Sequence, residues 1–600
     1  MKKGNEYEGI VSKIKFPNKG IVETQNDEGT VEKCIVKNVI PGQKIRFRVT
    51  KKRSGNCEGM CLQVIEKSPA ETDSPCPHFG ICGGCNYQNL PYEEQLKLKE
   101  KQVHELLEPV IKTFYDARGE KEVDITSLFE NIIPSPVIYG YRNKMEFSFG
   151  DSCKDGELEL GLHKSGSFYD IVTVKNCAII DDDYKSILTE TLAYFRGKET
   201  PYYHKRTHEG FLRFLLVRKA KKTGEILVDL VTTSDMPKDT PCTEKSLLED
   251  FKEVLLNLKL SGTIVGIMHT IDDQVADAVA NDSSEILYGR DYIFDEILGL
   301  KFKITAFSFF QTNTLSAEVL YSKVREYVNK ADKCIEKNQS GLHNVLFDLY
   351  SGTGTITQLM SAVAKKVIGV EIVEEAVEAA KENAELNGLH NCEFLAGDVL
   401  KVLDEIEEKP DFIILDPPRD GINPKALRKI IDYDVDNIVY VSCKPTSLAR
   451  DLGELMVGGY RPISICPIDQ FPGTVHVETV VLLSKGVVDK DNFRKVKVDF
   501  SLEDMDLTEL RGKATYAQVK EYIFNEFGLK VSSLYIAQVK KKCGIEIGEN
   551  HNLPKSEGAK GPVDLCSART EVETKTARQP QVTPEKEEAI MKAFRHLGVI

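Results

Sequence analysis

Nowhere in its 600 residues does the chain carry an uninterrupted apolar run approaching the ~20 residues of a membrane helix. The opening stretch, MKKGNEYEGIVSKIKF, lacks the apolar segment of a secretion leader, so no export signal is expected. Fifteen cysteines are too few in a chain of this length for a disulfide scaffold, which points to the cytoplasm. A surplus of positive charge is also lacking: 79 Lys and Arg stand against 93 Asp and Glu, a net charge of −14. That balance argues mildly against nucleic acid, but charge acts locally, so each segment is read separately. What is present, 41% hydrophobic and 29% charged residues, describes a globular protein with room for about three to five domains.

Residues 1–68 read as five short strands, YEGIVSKIKF, GIVETQ, VEKCIVKNV, GQKIRFRVTKKR and GMCLQVIEK, separated by turns at Gly20, Gly29 and Pro41-Gly42. Five strands in so short a span predict a small barrel. Residues 1–75 hold 14 basic against 10 acidic side chains, and KIRFRVTKKR (44–53) concentrates six of the basic ones. Phosphate contacts need such a patch; a solvated basic strand gives the same pattern. The segment resembles a TRAM domain, an OB-like RNA-binding module.

CPHFGICGGC follows, with Cys76, Cys82 and Cys85 spaced C-x5-C-x2-C in a Gly-rich loop that can bring three thiolates to one point. A fourth ligand must come from elsewhere. Cys177 in VTVKNCAI is the first candidate, and Cys57 and Cys61 compete with it. Such a set suits zinc or an iron–sulfur cluster, and spacing alone does not choose.

Residues 69–310 form a central region. A helical stretch, PYEEQLKLKEKQVHELLEPVI, leads into strands such as YRNKMEFSFGD, LRFLLVRKA, GEILVDLVTT and GTIVGIMHT, which predict an antiparallel β domain. Arg142, Asn143, Lys144, Arg213, Arg218 and Lys219 read as solvent-facing polar and charged groups. In FFQTN, Gln311 follows two Phe and reads as a buried amide near a ligand, with capping residues for the next helix beside it.

Residues 311–485 carry a strand–turn–helix signal, FDLYSGTGTITQLM. Glycine lets backbone approach a ligand at the head of a helix. The third glycine of a dinucleotide fingerprint is missing, so the turn alone is weak evidence. More specific is an ordered set of strand ends: Tyr350, Glu371, Asp398 and Asp416. Glu371 comes 23 residues after Asp348, where an acid accepts hydrogen bonds from ribose hydroxyls. Asp398 is placed for an adenine amino group. Together they predict a Rossmann-like crevice resembling class I S-adenosylmethionine-dependent methyltransferases, and the DPP after Leu415 suits methyl transfer to a planar base.

Cys443 ends the strand IVYVS beside the DPP strand. C5 of uracil is a poor nucleophile until a thiolate adds to C6; a base must then remove the C5 proton so that the thiol can leave. Cys443 suits the nucleophile, with Lys444 and Arg450 expected to lower its pKa. In DQFPGTVHVETVVLL, Glu478 and His476 share one face of a predicted strand, and either suits the base.

DLYSGTGTIT, LDPPRDG, VSCKPTSLARD and DQFPGTVHVET together resemble the motif series of the RNA uracil-5-methyltransferase family. The N-terminal barrel and CPHFGICGGC resemble its branch acting on 23S ribosomal RNA, whose members carry a TRAM domain and a [4Fe–4S] cluster. The likeness spans about residues 5–485; Ser351 stands where many relatives have Cys. It implies Cys443 as nucleophile and Glu478 as base, with Gln311, Tyr350, Glu371 and Asp416 at the cofactor. It implies Cys76, Cys82, Cys85 and Cys177 on the cluster, in a structural or RNA-recognition role.

Residues 486–600 lie outside the resemblance and read as a helical extension: two amphipathic helices in 514–545, a polar linker in 549–585 and a short closing helix. The expectation is a multidomain α/β protein, cytoplasmic and monomeric, that forms 5-methyluridine in large-subunit ribosomal RNA. Transfer RNA as substrate, methylation of cytosine C5 or a small molecule, and an iron–sulfur RNA-binding sensor without methyltransferase activity are the alternatives.

Overall fold

The computed structural model describes residues 1–485 apart from 26–28, 54–55, 121–122, 155, 237–242 and 335–341, together with isolated positions at 523, 529, 535–536, 539, 586–587 and 589–592. The chain divides into two compact units, Met1–Val496 and Lys497–Ile600. The extension's linker and most of its expected helices fall outside the described residues. Among the described residues, no helix is long and apolar enough to cross a membrane.

The first five strands, β1 (Glu6–Lys15), β2 (Lys19–Gln25), β3 (Val31–Lys37), β4 (Lys44–Arg53) and β5 (Asn56–Glu66), close a barrel in the order β1-β2-β3-β5-β4. Alternation drives it: Val11, Val22, Val36, Ile45, Phe47 and Val49 turn inward and form its core. The charges of β4 turn outward but are largely paired. Lys44 meets Glu66, Arg46 meets Glu8, Arg48 meets Glu6 and Lys51 meets Glu58, at 2.7–3.4 Å. The strand that reads as basic is therefore a ladder of exposed ion pairs, each holding only weakly.

Helix α1 (Tyr92–Ala117) leads to a seven-stranded sheet built from β6 (Lys144–Asp151), β7 (Leu158–His163), β8 (Ile171–Val172), β9 (Leu212–Lys219), β10 (Glu225–Thr232), β11 (Thr263–Ile271) and β12 (Ser283–Gly289). Its order is β12-β11-β10-β9-β6-β7-β8, with α2 (Asp182–Gly197) and α3 (Glu244–Leu256) packed on it. The expectation of an antiparallel domain needs correction. β10 and β11 run parallel, because α3 returns the chain to the same edge of the sheet. The polar groups expected to face solvent are corrected too. Arg218 is fully buried and donates to the carbonyls of Ala306 and Ser308. Arg213 is buried against Asp272, Lys219 is held between Asp181 and Asp183, and buried Asn143 donates to the Gln311 carbonyl. They tie loops to the sheet instead of meeting water.

A hairpin, β13 (Tyr292–Ile297) and β14 (Leu300–Thr305), precedes α4 (Thr314–Cys334), which Asn313 caps through the Ser316 amide. The last sheet comprises β15 (His343–Leu349), β16 (Ala364–Glu371), β17 (Cys392–Ala396), β18 (Phe412–Leu415), β19 (Asn437–Ser442), β20 (Arg461–Ile468) and β21 (Glu478–Ser484). Between them lie α5 (Thr355–Met360), α6 (Glu374–Leu386), α7 (Val399–Glu405), α8 (Pro424–Asp432) and α9 (Pro445–Val457). The order is β17-β16-β15-β18-β19-β21-β20, and β21 runs antiparallel to both its neighbours. β18 is apolar throughout and β19 is apolar between Asn437 and Ser442, and both are buried on both faces, as helix-covered parallel strands require. Strand order reverses between β15 and β18, so a crevice opens at the carboxyl ends of these strands.

Candidate active site and cysteine cluster

The expected residues Tyr350, Glu371 and Asp416 stand at the carboxyl ends of β15, β16 and β18. At the tip of β15, Tyr350 adopts a left-handed backbone, φ 70°, and Gly352 and Gly354 follow at 53° and 71°. A side chain at Gly354 would collide with the Phe394 ring, 2.5 Å from its Cβ, so this turn admits only glycine. Glu371 ties the turn to β16 by accepting from the Gly352 amide at 2.9 Å, and it also accepts from the Ile372 and Val373 amides. Asp398 lies beyond β17 and caps α7, accepting from the Leu400 amide at 2.9 Å. That bond engages one of its two oxygens. Gln311 accepts from the Gln470 amide at 3.3 Å and bonds the buried Tyr321 phenol, whose other neighbours are Asp416, Glu478 and Asp348.

Cys443 sits between β19 and α9, half-buried. Its surroundings correct the expected pKa. Burial, then the nearby Glu478 and Asp416 carboxylates, push the thiol up to about 12, and Arg419 opposes them only partly. Lys444 and Arg450 do not supply the expected charge. Arg450 bonds Asp451 and donates to the carbonyl of Asp420, while Asp451 also accepts from the Ile422 amide and the Tyr440 hydroxyl. This network fastens the loop after β18, and with it Arg419, onto α9.

Glu478 and His476 do not share a strand. Glu478 begins β21, buried, whereas His476 lies in the preceding loop. Burial raises Glu478 to about 7, with Arg419 opposing. Burial, then the charges of Arg419, Lys99 and Arg142, holds His476 down at about 4. A base works best with a pKa near the working pH, so the carboxylate suits the task and the imidazole is too weak. Asp416 is held well above the carboxylate range by burial, Glu478 and Asp348.

The loop 469–476 is anchored by a fully buried ion pair, Lys99 to Asp469 at 2.7 Å, with Lys99 also donating to the Phe471 carbonyl. Lys99 comes from α1, the helix expected to belong to the central region. Removing one partner strands the other charge, at a cost of about 3–5 kcal/mol. Lys99→Met is therefore expected to lower the melting temperature sharply, while Lys97→Met, on the same helix but exposed, leaves it nearly unchanged; thermal denaturation of both variants checks this.

Sequence reasoning missed Arg419, Tyr321, Arg142 and the Lys99–Asp469 pair as parts of this site. LDPPRDG contains Arg419, so its motif signal was present. The others meet the site only through the fold.

A second cluster lies on the central sheet. Cys76, Cys82, Cys85 and Cys177 converge: Cys85 is pushed up to about 12 by burial and then by Cys177, with Cys82 and Cys76 adding to it. Cys177 is pushed up to about 11 by burial, then by Cys76 and Cys82. Cys177, Cys82 and Cys85 pack in one apolar cluster, and Gln88 donates to the Cys85 sulfur at 3.2 Å. Among the described residues, no three Cys, His, Asp or Glu groups stand in metal-holding geometry. Cys57 belongs to the barrel core with Cys34, and Cys61 packs against that core, so neither competes as a fourth member.

The family model for tRNA (Uracil-5-)-methyltransferase matches residues 281–486. An uncharacterized RNA methyltransferase of Clostridium tetani is 47% identical over 485 residues, which is 81% of this chain and 99% of that one. The chain belongs to the RNA uracil-5-methyltransferase family. A second relative, from Caldanaerobacter subterraneus subsp. tengcongensis, is 49% identical over 450 residues, covering 75% of this chain and 93% of the relative, and is also named an RNA methyltransferase. The crystal structure of Pyrococcus abyssi tRNA (uracil-54, C5)-methyltransferase in complex with S-adenosyl-L-homocysteine is similar across 80% of this chain and 100% of that one, with 25% identity and a TM-score of 0.58. The family is thus one of RNA-methylating enzymes.

Proposed function

We propose that this chain methylates C5 of a uridine in 23S ribosomal RNA through a covalent bond from Cys443. The observation that carries the reading is Cys443, at the end of β19, beside a buried Glu478, at the start of β21, whose pKa lies near neutrality. S-adenosylmethionine, when bound, supplies an electrophilic methyl group. The donors and acceptors present fit it: an open glycine turn, the Glu371 carboxylate for ribose, Asp398 for the adenine, and Gln311, Tyr350 and Asp416 around the reacting end. Cys443 adds its sulfur to C6, which makes C5 nucleophilic. Glu478 then takes the proton from the methylated C5, the C5=C6 bond re-forms, and the thiol leaves. The resting thiol is protonated at neutral pH, so its proton must pass to a base as the substrate binds. Solvent water takes it, which leaves Glu478 ionised for the C5 proton, and Arg419 stabilises the anionic partners. The base must lie extruded from its stack to reach this sulfur.

The four clustered cysteines would hold a [4Fe–4S] cluster in a structural or RNA-recognition role. Four thiols are the donor chemistry of such a group, and the His78 ring beside them is occupied in accepting from the Asn176 amide at 3.3 Å. Protein purified without air is expected to be brown with iron and sulfide, and Cys82→Ser to bleach it. Zinc in place of iron would refute the cluster, and iron that survives Cys177→Ser would remove Cys177 from the set. The barrel of residues 1–68 serves as a TRAM-type RNA-binding module, 69–310 as the cluster-bearing domain, 311–485 as the methyltransferase domain and 486–600 as an appendage.

The Pyrococcus abyssi likeness favours a second reading, transfer RNA as substrate. Mapping 5-methyluridine in a strain lacking the gene separates the two. Loss of one or two such residues from 23S ribosomal RNA is expected, whereas loss from transfer RNA alone establishes the second reading.

A further inference from the structure

The turn between β7 and β8 exposes two aromatic rings side by side, Phe168 at 58% and Tyr169 at 52%, with Ile81 of the cysteine loop exposed at 51%. The Ser165 amide donates to the Ile81 carbonyl at 2.7 Å and the Gly83 amide to the His163 carbonyl at 3.0 Å, so turn and loop form one surface. The rings meet edge to face, with centroids 5.4 Å apart. Each is braced by a cation from the turn before β9: Lys205 lies 4.8 Å from the Phe168 centroid and Arg206 lies 5.5 Å from that of Tyr169. His163 stacks against Phe168 at 6.1 Å. Asp277 balances Lys205 and His163, and Asp170 lies 3.7 Å from Lys164. Among the described residues, no carboxylate pairs with Arg206. Neither ring belongs to the apolar core of the central sheet.

We propose that Phe168 and Tyr169, with Arg206, form a stacking platform for unpaired bases of the RNA substrate. The inference rests on the RNA-methylating reading above. The chemistry favours RNA over an apolar protein surface. A base covers a ring while its phosphate meets the guanidinium, whereas an apolar partner would bury Arg206 uncompensated. A paired stem hides its base faces, so the platform selects loops and flanking single strands.

The test is binding of a fluorescent single-stranded RNA, and of the same RNA annealed to its complement, to the full chain across a range of salt. Phe168→Ala/Tyr169→Ala is expected to weaken single-strand binding by roughly tenfold or more, with duplex binding and cofactor affinity unchanged. Arg206→Gln is expected to reduce the single-strand salt slope by about 0.7. Phe168→Leu keeps apolar bulk without the ring face. If it alone restores affinity to the Phe168→Ala chain, the contact is hydrophobic and stacking is refuted. Equal losses for single strand and duplex would likewise overturn the platform, as would unchanged affinity in the double variant. Failure of the unaltered chain to bind any RNA would instead overturn the methyltransferase reading itself.

Discussion

Cys443→Ala is expected to abolish methyl transfer while leaving cofactor affinity within about twofold, because the thiol meets the base and not the methyl donor. Losing covalent activation leaves C5 of uracil with no means to attack, so the drop in turnover should reach the limit of detection, several orders of magnitude. Packing does not confound the result. Cys443 is half-buried at a strand end, outside the apolar clusters that hold the two sheets together. Single-turnover methylation and cofactor titration of the same variant check both halves, and substantial activity would remove the covalent step.

Glu478→Gln is expected to fail later in the cycle. The amide cannot take the C5 proton, so the base is methylated but not released, and a protein–RNA adduct should persist on a denaturing gel. In the unaltered chain the base must be ionised. With Glu478 near 7, the rate of product release should rise with pH through about 7 and then level off. A base with the depressed pKa of His476, about 4, would give a flat profile over the same range. An inactive variant without adduct would move the proton to another group, or show that Glu478 is needed for the thiol's own deprotonation.

Most of the site was legible because its residues sit in short motifs at strand ends. The acids at 371, 398 and 416 and the thiol at 443 follow from strands breaking into polar turns, and the sheet brings those ends to one edge. The barrel was legible from alternation and turns. What escaped the sequence depends on distant pairing. The exposed charge of β4 cannot be seen to be neutralised until Glu6, Glu8, Glu58 and Glu66 arrive from neighbouring strands. Arg142, Arg213 and Arg218 read as surface charges because a long basic side chain looks the same in sequence whether it meets water or buried carbonyls. Nor does local charge settle the state of the Cys443 thiol. Lys444 and Arg450 are its neighbours along the chain, but Glu478 and Asp416 are its neighbours in space. The parallel pairing of β10 and β11 needed the crossover through α3, which a list of strands does not reveal.

The reaction proposed here removes one hydrogen from C5 for every methyl group installed. RNA carrying tritium at C5 of its uridines and methyl-labelled S-adenosylmethionine therefore test it most directly. Tritium is expected to appear in water one-for-one with methyl groups entering RNA, and none is expected to be released by Cys443→Ala. Methyl incorporation without tritium release would place the methyl group elsewhere on the RNA and contradict it.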